Sequence, residues 1–110
     1  SKTFSILLIL INHASSKPNK EIFIVSGELS KMRITIIKDF VNILKLSGLM
    51  PLVSFTSGTL CRFPNGSFIK FLGMDKDDIG KGLRCDVVFV NEANKINFES
   101  YRELIKIMSF

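Results

Sequence analysis

Apolar and polar positions along this chain change period several times, and each change marks a new element. FSILLILI, from Phe4 to Ile11, is apolar without a polar stripe. It predicts a helix from Ser1 to about Asn12, buried on most of its sides, which SSKPN then breaks. EIFIVSG is a β-branched and aromatic run ending at Gly27, the pattern of a buried strand. Leu29, Met32, Ile36, Ile37, Phe40, Val41 and Leu44 then recur at steps of three and four, and Gly48 and Pro51 end the series. One amphipathic helix is expected there. TLCRFPNGSFIKFLG reads as two strands around Asn65-Gly66, a tight hairpin turn in which both residues accept positive φ. MDKDDIGKG is a charged loop, and RCDVVFVNE is the next strand, its Val87 to Val90 fully apolar. Tyr101, Leu104, Ile105 and Met108 mark one face of a last helix entered from Asn97. Helices alternating with strands predict an α/β layered fold with at least part of its sheet parallel and with one β-hairpin.

Composition narrows this picture only slightly. The chain has 110 residues, 46% of them hydrophobic and ten of them Phe, enough for one packed core. A net charge of +5 is spread over the whole length, so it is compatible with a polyanionic partner without naming one. The run from Phe4 to Ile11 is far shorter than the roughly 20 residues that cross a bilayer, and it lacks a signal-peptide pattern, so a soluble, non-secreted chain is expected. Cys61 and Cys85 are far apart, each within a strand-like run, and form neither a disulfide framework nor a metal spacing. The chain opens on Ser1 and closes within an amphipathic stretch, as a piece of a longer protein would.

The candidate chemistry lies where strands end. In parallel α/β sheets, ligands collect outside the carboxyl ends of the strands, and Asn91 and Glu92 follow the apolar run Val87–Val90 at that edge. Ser1-Lys2-Thr3 stands at the start of the first helix. A phosphate-binding loop ends in Gly-Lys-Ser/Thr at a helix start: the lysine reaches the β and γ phosphates, the hydroxyl ligates Mg²⁺, and backbone N–H groups cradle the anion. A buried strand ending in an acidic pair is its usual companion, one residue in the Mg²⁺ shell and the next orienting a water.

At this point the residues resemble a family, the large terminase subunits of tailed phages. The resemblance runs over essentially the whole chain. It rests on SKTFSILLIL, as the end of a Walker A motif with its helix, and on RFPNGSFIKFLGMDKDDIGKGLRCDVVFVNEAN. In the latter an NGS hairpin, a G-x-D turn, a basic residue before Gly and a Walker B strand follow in the family's order. The resemblance implies a P-loop ATPase domain of the RecA-like, additional-strand class, with a mainly parallel sheet flanked by helices, incomplete over residues 1–110. It would start within Walker A and end after Walker B, with the preceding strand and the nuclease domain outside it. It implies ATP and Mg²⁺ as cofactors, with Ser1, Lys2, Thr3 and Asn91 on the nucleotide, Thr3 and Asn91 toward the metal, and Glu92 catalytic. Implied partners are double-stranded DNA, a portal protein, a small terminase subunit and further copies in a ring, in the host cytoplasm. Two positions depart from the pattern: Asn91 stands where Asp is usual, and Ser1 where Gly is most common.

Each candidate also has a plainer reading. Lys2 and Thr3 suit a solvated helix start, Glu92 a carboxylate favoured by the dipole of a following helix, and Asn91 a capping residue. Lys81, before Gly82, occupies the place of a basic residue that reaches a neighbour's nucleotide, or is a solvated loop lysine; Arg84 reads as a strand-end charge. His13 has no ligand partner at metal spacing and reads as a helix-end residue, and DKDD lacks the alternation of an EF-hand. A helicase-like ATPase of the same fold class, or a non-catalytic α/β binding module, remain as alternatives.

Overall fold

The computed structural model describes residues 2–75 and 85–90. The predicted last helix and most of the charged loop lie outside them. Helix α1 (Lys2–Ser16) leads into strand β1 (Glu21–Ser26), then α2 (Leu29–Ile34), α3 (Ile36–Leu46) and a 3₁₀ turn at Met50–Leu52. Strands β2 (Ser54–Thr56), β3 (Leu60–Arg62), β4 (Phe68–Gly73) and β5 (Val87–Val90) complete the described elements.

They form one five-stranded sheet in the order β2-β3-β4-β1-β5. The sheet is mixed. β1 runs parallel to both β4 and β5, whereas β2, β3 and β4 are joined antiparallel, so the expected parallel character is confined to three strands. Register sorts the side chains by face. Ile22 lies beside Ile69 and Val87, and Ile24 beside Phe71 and Phe89; Phe23 and Val25 fall on the opposite face with Val88 and Leu72. β1 is apolar on both faces for this reason: a central strand has no solvated side.

The larger core joins Ile22, Ile24, Ile69 and Phe71 to Leu7, Leu10, Ile11 and Ala14 of α1, Met32 of α2, and Ile36, Ile37, Phe40, Ile43 and Leu44 of α3. All the described helices pack on this face. Phe40 is its centre, fully buried and edge-on to Phe71 at 5.0 Å and to Phe55 at 6.0 Å. On the other face Phe23, Val25, Leu72 and Val88 form a second buried cluster, extended by Phe68 against Phe23.

Four local readings need correction. The single helix expected from Leu29 to Leu44 is broken at Thr35, whose φ of −122° and ψ of −86° are non-helical. Its hydroxyl bonds back to the Lys31 carbonyl at 2.7 Å and its N–H turns to Met32, which competes with helix continuation. Apolar spacing survives because both pieces bury the same side. Helix α1 runs beyond Asn12 to Ser16 and is not buried on most sides: Phe4, Leu8 and Ile9 are exposed. Its apolar bulk exceeds what the sheet and α3 cover. At Asn65-Gly66 only Gly66 has positive φ, at 91°. Gly66 N–H donates to Phe63 O and Phe63 N–H to Ser67 O, so the loop is a Pro-containing turn closed by a glycine bulge rather than a two-residue turn. Two consecutive positive-φ residues instead occur one hairpin earlier, at Ser57 and Gly58 with φ of 55° and 69°, within the three-residue link that joins β2 to β3.

Candidate functional site

Residues 17–20 alone connect α1 to β1. A helix of 15 residues rises ~22 Å and a strand of 6 spans ~20 Å, so a helix packed back on the sheet through so short a link runs antiparallel to β1 and matches its length. The start of α1 therefore returns toward the edge where β1, β4 and β5 end, at Ser26, Gly73 and Val90.

The opposite end of α1 is tied down. Asn65 Nδ2 donates to the main-chain oxygens of Ala14 at 2.8 Å, Lys17 at 3.1 Å and Ser15 at 3.3 Å. Ser67 Oγ donates to Lys17 O at 2.5 Å and accepts from Lys20 N at 2.9 Å. Carbonyls at a helix C-terminus have no intrahelical donor, and the NGS turn supplies one from a segment some 50 residues away in sequence. Sequence reasoning placed NGS in a hairpin but missed this role, since nothing local in residues 65–67 points to α1.

Of the predicted site residues, Lys2 opens α1 and Thr3 sits half-buried in its first turn. Val90 ends β5 in register with Val25. Ser1, Asn91 and Glu92 lie outside the described residues, as do Lys81 and Arg84. The structure thus brings the two expected carriers, a helix start and a strand end, to one edge of the sheet.

A third segment reaches the same edge, and sequence reasoning assigned it no role beyond the family's G-x-D turn. Met74 N–H donates to Ser26 O at 2.8 Å and Asp75 N–H to Gly27 O at 3.2 Å, folding the chain after β4 across the end of β1. Asp75 Oδ1 accepts from Leu29 N at 3.1 Å, so it caps α2 from outside that helix, where Glu28 provides no side-chain cap. Gly73 is required by the contact: a Cβ there would stand 2.7 Å from both the Cβ and the backbone N of Leu29. The turn fixes the end of β1, whose Ser26 is buried.

At the other end of the sheet, Asp86 Oδ2 accepts from Glu21 N at 2.8 Å and Asp86 N–H donates to Glu21 O at 2.8 Å, setting the start of β5 against β1. Burial pushes the Cys61 thiol up to about 12; burial, then the charges of Asp86 and Glu21, push Cys85 up to about 11. The upward shifts disfavour the thiolate, the nucleophilic form, at both positions. Among the described residues no group of three or more His, Cys, Asp or Glu can hold a metal, and no helix is long and apolar enough to cross a membrane.

No family model and no curated protein matches the sequence. Solved structures do. The large terminase of bacteriophage HK97 superposes with a TM-score of 0.76 over 98% of this chain at 17% identity, and the large terminase of a thermophilic bacteriophage with 0.75 over 98% at 14% identity. The chain spans 24% of the first and 27% of the second. Along almost its whole length, then, the chain has the fold found in part of the bacteriophage large terminases, a mixed five-stranded sheet flanked by helices.

Proposed function

We propose that this chain is part of the P-loop ATPase unit, of the RecA-like additional-strand class, in a motor that packages double-stranded DNA into phage proheads. The reading is carried by one observation: a terminase-like fold over 98% of the chain, with the start of α1 at the sheet edge where β1 and β5 end. The residues fit the cofactors by their chemistry. The start of a 15-residue helix carries the positive end of its dipole, which suits phosphate, and Lys2 adds a cation beside it. The Thr3 hydroxyl and Asn91 amide are oxygen donors of the kind a hard cation takes, Asn91 acting through a metal-bound water and bringing no charge. Ser1 closes the phosphate loop ahead of them. Bound Mg²⁺ would neutralise charge on the β and γ phosphates of ATP.

Within this reading Lys2 would meet the γ-phosphate, Thr3 and Asn91 would hold the Mg²⁺ shell, and Glu92 would orient the attacking water. The partners follow from the same proposal: DNA as cargo, portal and small terminase subunits, and further copies in a ring in the host cytoplasm. The test is Glu92→Gln in the full-length protein. It keeps the side-chain shape and removes the charge, so ATP hydrolysis is abolished while ATP binding persists. Hydrolysis within about threefold of the unsubstituted protein would overturn the assignment.

A further inference from the structure

Asn65 is the only asparagine in the chain followed by glycine. The pair is chemically labile, because a glycine N–H without side-chain hindrance can attack the preceding amide. We infer that Asn65 is a modification site gated by opening of the fold, where deamidation acts as a one-way fuse on the anchor of α1. In the reaction Gly66 N attacks Asn65 Cγ and forms the new C–N bond, while the Cγ–Nδ2 bond breaks and the amide nitrogen leaves as ammonia with the Gly66 proton. Water then adds to one of the two imide carbonyls. Opening at Cγ yields aspartate, opening at the main-chain carbon yields isoaspartate, and the net change is hydrolysis of an amide.

The folded turn opposes every part of this step. Gly66 N–H is engaged with Phe63 O at 3.1 Å. The leaving amide is held by three carbonyls, and Asn65 Oδ1 accepts from Ser67 N at 3.0 Å. These partners also fix which side-chain atom is nitrogen, since the reverse assignment would set an oxygen against three oxygens. Turning Cγ toward Gly66 N therefore breaks the anchor first, and conversion follows only when the turn leaves α1. Afterwards the anchor cannot re-form. A carboxylate at residue 65 has no proton to donate at neutral pH and would face Ala14, Ser15 and Lys17 oxygens at the negative end of the α1 dipole.

The test is to incubate the chain at mildly alkaline pH across a urea series, following the peptide containing Asn65 by mass spectrometry and separating its aspartate and isoaspartate forms. Conversion in denaturing urea is expected to be at least about tenfold faster than in native buffer, rising with urea in step with loss of helix signal. Ser67→Ala, which removes the hydroxyl linking Lys17 to Lys20, should accelerate conversion in native buffer and leave the rate in denaturing urea unchanged. Equal rates in native and denaturing conditions, or a folded Ser67→Ala chain that converts no faster than the unsubstituted one, would overturn the inference. If Ser67→Ala does not fold, the urea series on the unsubstituted chain decides alone, and a rate flat across it is the overturning result.

Discussion

Asn65 donates its side-chain amide to the Ala14 carbonyl at 2.8 Å across 51 positions of sequence, joining the β3–β4 turn to the end of α1. Because α1 begins at the edge proposed to meet nucleotide, this bond sets the helix's position from its far end. Asn65→Ala removes the donor from three carbonyls, of which the contact at Ala14 is part-buried and those at Ser15 and Lys17 are exposed, so the loss falls mainly on the Ala14 oxygen, where stranding a buried acceptor costs about 1–3 kcal/mol. Urea denaturation followed by circular dichroism should show a lower midpoint with an unchanged slope. An unaltered midpoint would mean that water replaces the amide without loss.

Gly73→Ala tests the turn at the opposite end of the sheet. Its Cβ would meet the backbone and Cβ of Leu29 at 2.7 Å, and neither can rotate away. Overpacking of this kind costs about 1–3 kcal/mol. Since Asp75 must approach the same α2 N-terminus, the variant should lose stability and show faster hydrogen exchange at Leu29. Exchange unchanged there would separate the Gly73 contact from the Asp75 cap.

Phe40→Ala removes the ring that packs edge-on against both Phe71 and Phe55, at a fully buried position. Deleting a core aromatic costs about 3–5 kcal/mol, a large share of the stability of a small domain. The expected result is loss of the cooperative thermal transition, or a strongly lowered one. Phe40→Leu, which refills most of the volume, should recover part of it.

Alkaline pH should weaken the fold through its thiols. Cys61 is pushed from its ordinary 9.0 up to about 12 and Cys85 to about 11 in the folded chain. Well below 9.0 both are protonated in either state and contribute no pH dependence. Above it the unfolded chain releases its protons while the folded chain retains them, so stability falls as pH rises. The slope is at most about 1.4 kcal/mol per pH unit for each thiol, and Cys61 is the stronger contributor because its burial is deeper. Urea midpoints measured at pH values between 8 and 11 should decline more shallowly in Cys61→Ala than in the unsubstituted chain. Parallel declines would exclude the Cys61 contribution.

What the sequence determined by itself is the identity of elements whose signal is local. The step-of-three-and-four spacing through Phe40 and Leu44 marks α3, the β-branched run Ile22–Val25 marks β1, Val87–Val90 marks β5, and Pro64-Asn65-Gly66 marks a turn between strands. These follow from backbone preference and from which face each residue must bury, and neighbours in sequence suffice to express both. The helix start of α1 and the end of β5, where candidate chemistry is expected because α/β sheets put ligands at that edge, were also legible as elements.

The tertiary structure decided the rest. β1 lies between β4 and β5, which needs hydrogen bonds between segments more than 40 residues apart in sequence. β2 is a strand only because β3 pairs with it, since Ser54–Thr56 is too short to announce itself. Thr35 breaks a helix whose apolar spacing continues unbroken through it, so periodicity did not reveal the break. Asp75 caps α2 and Asn65 caps α1 from outside each helix. A cap supplied from far along the chain leaves no mark near the helix it closes; it exists only once the sheet has brought the two segments together, and that is why the anchoring of α1 and α2 could be seen in space and not in the sequence.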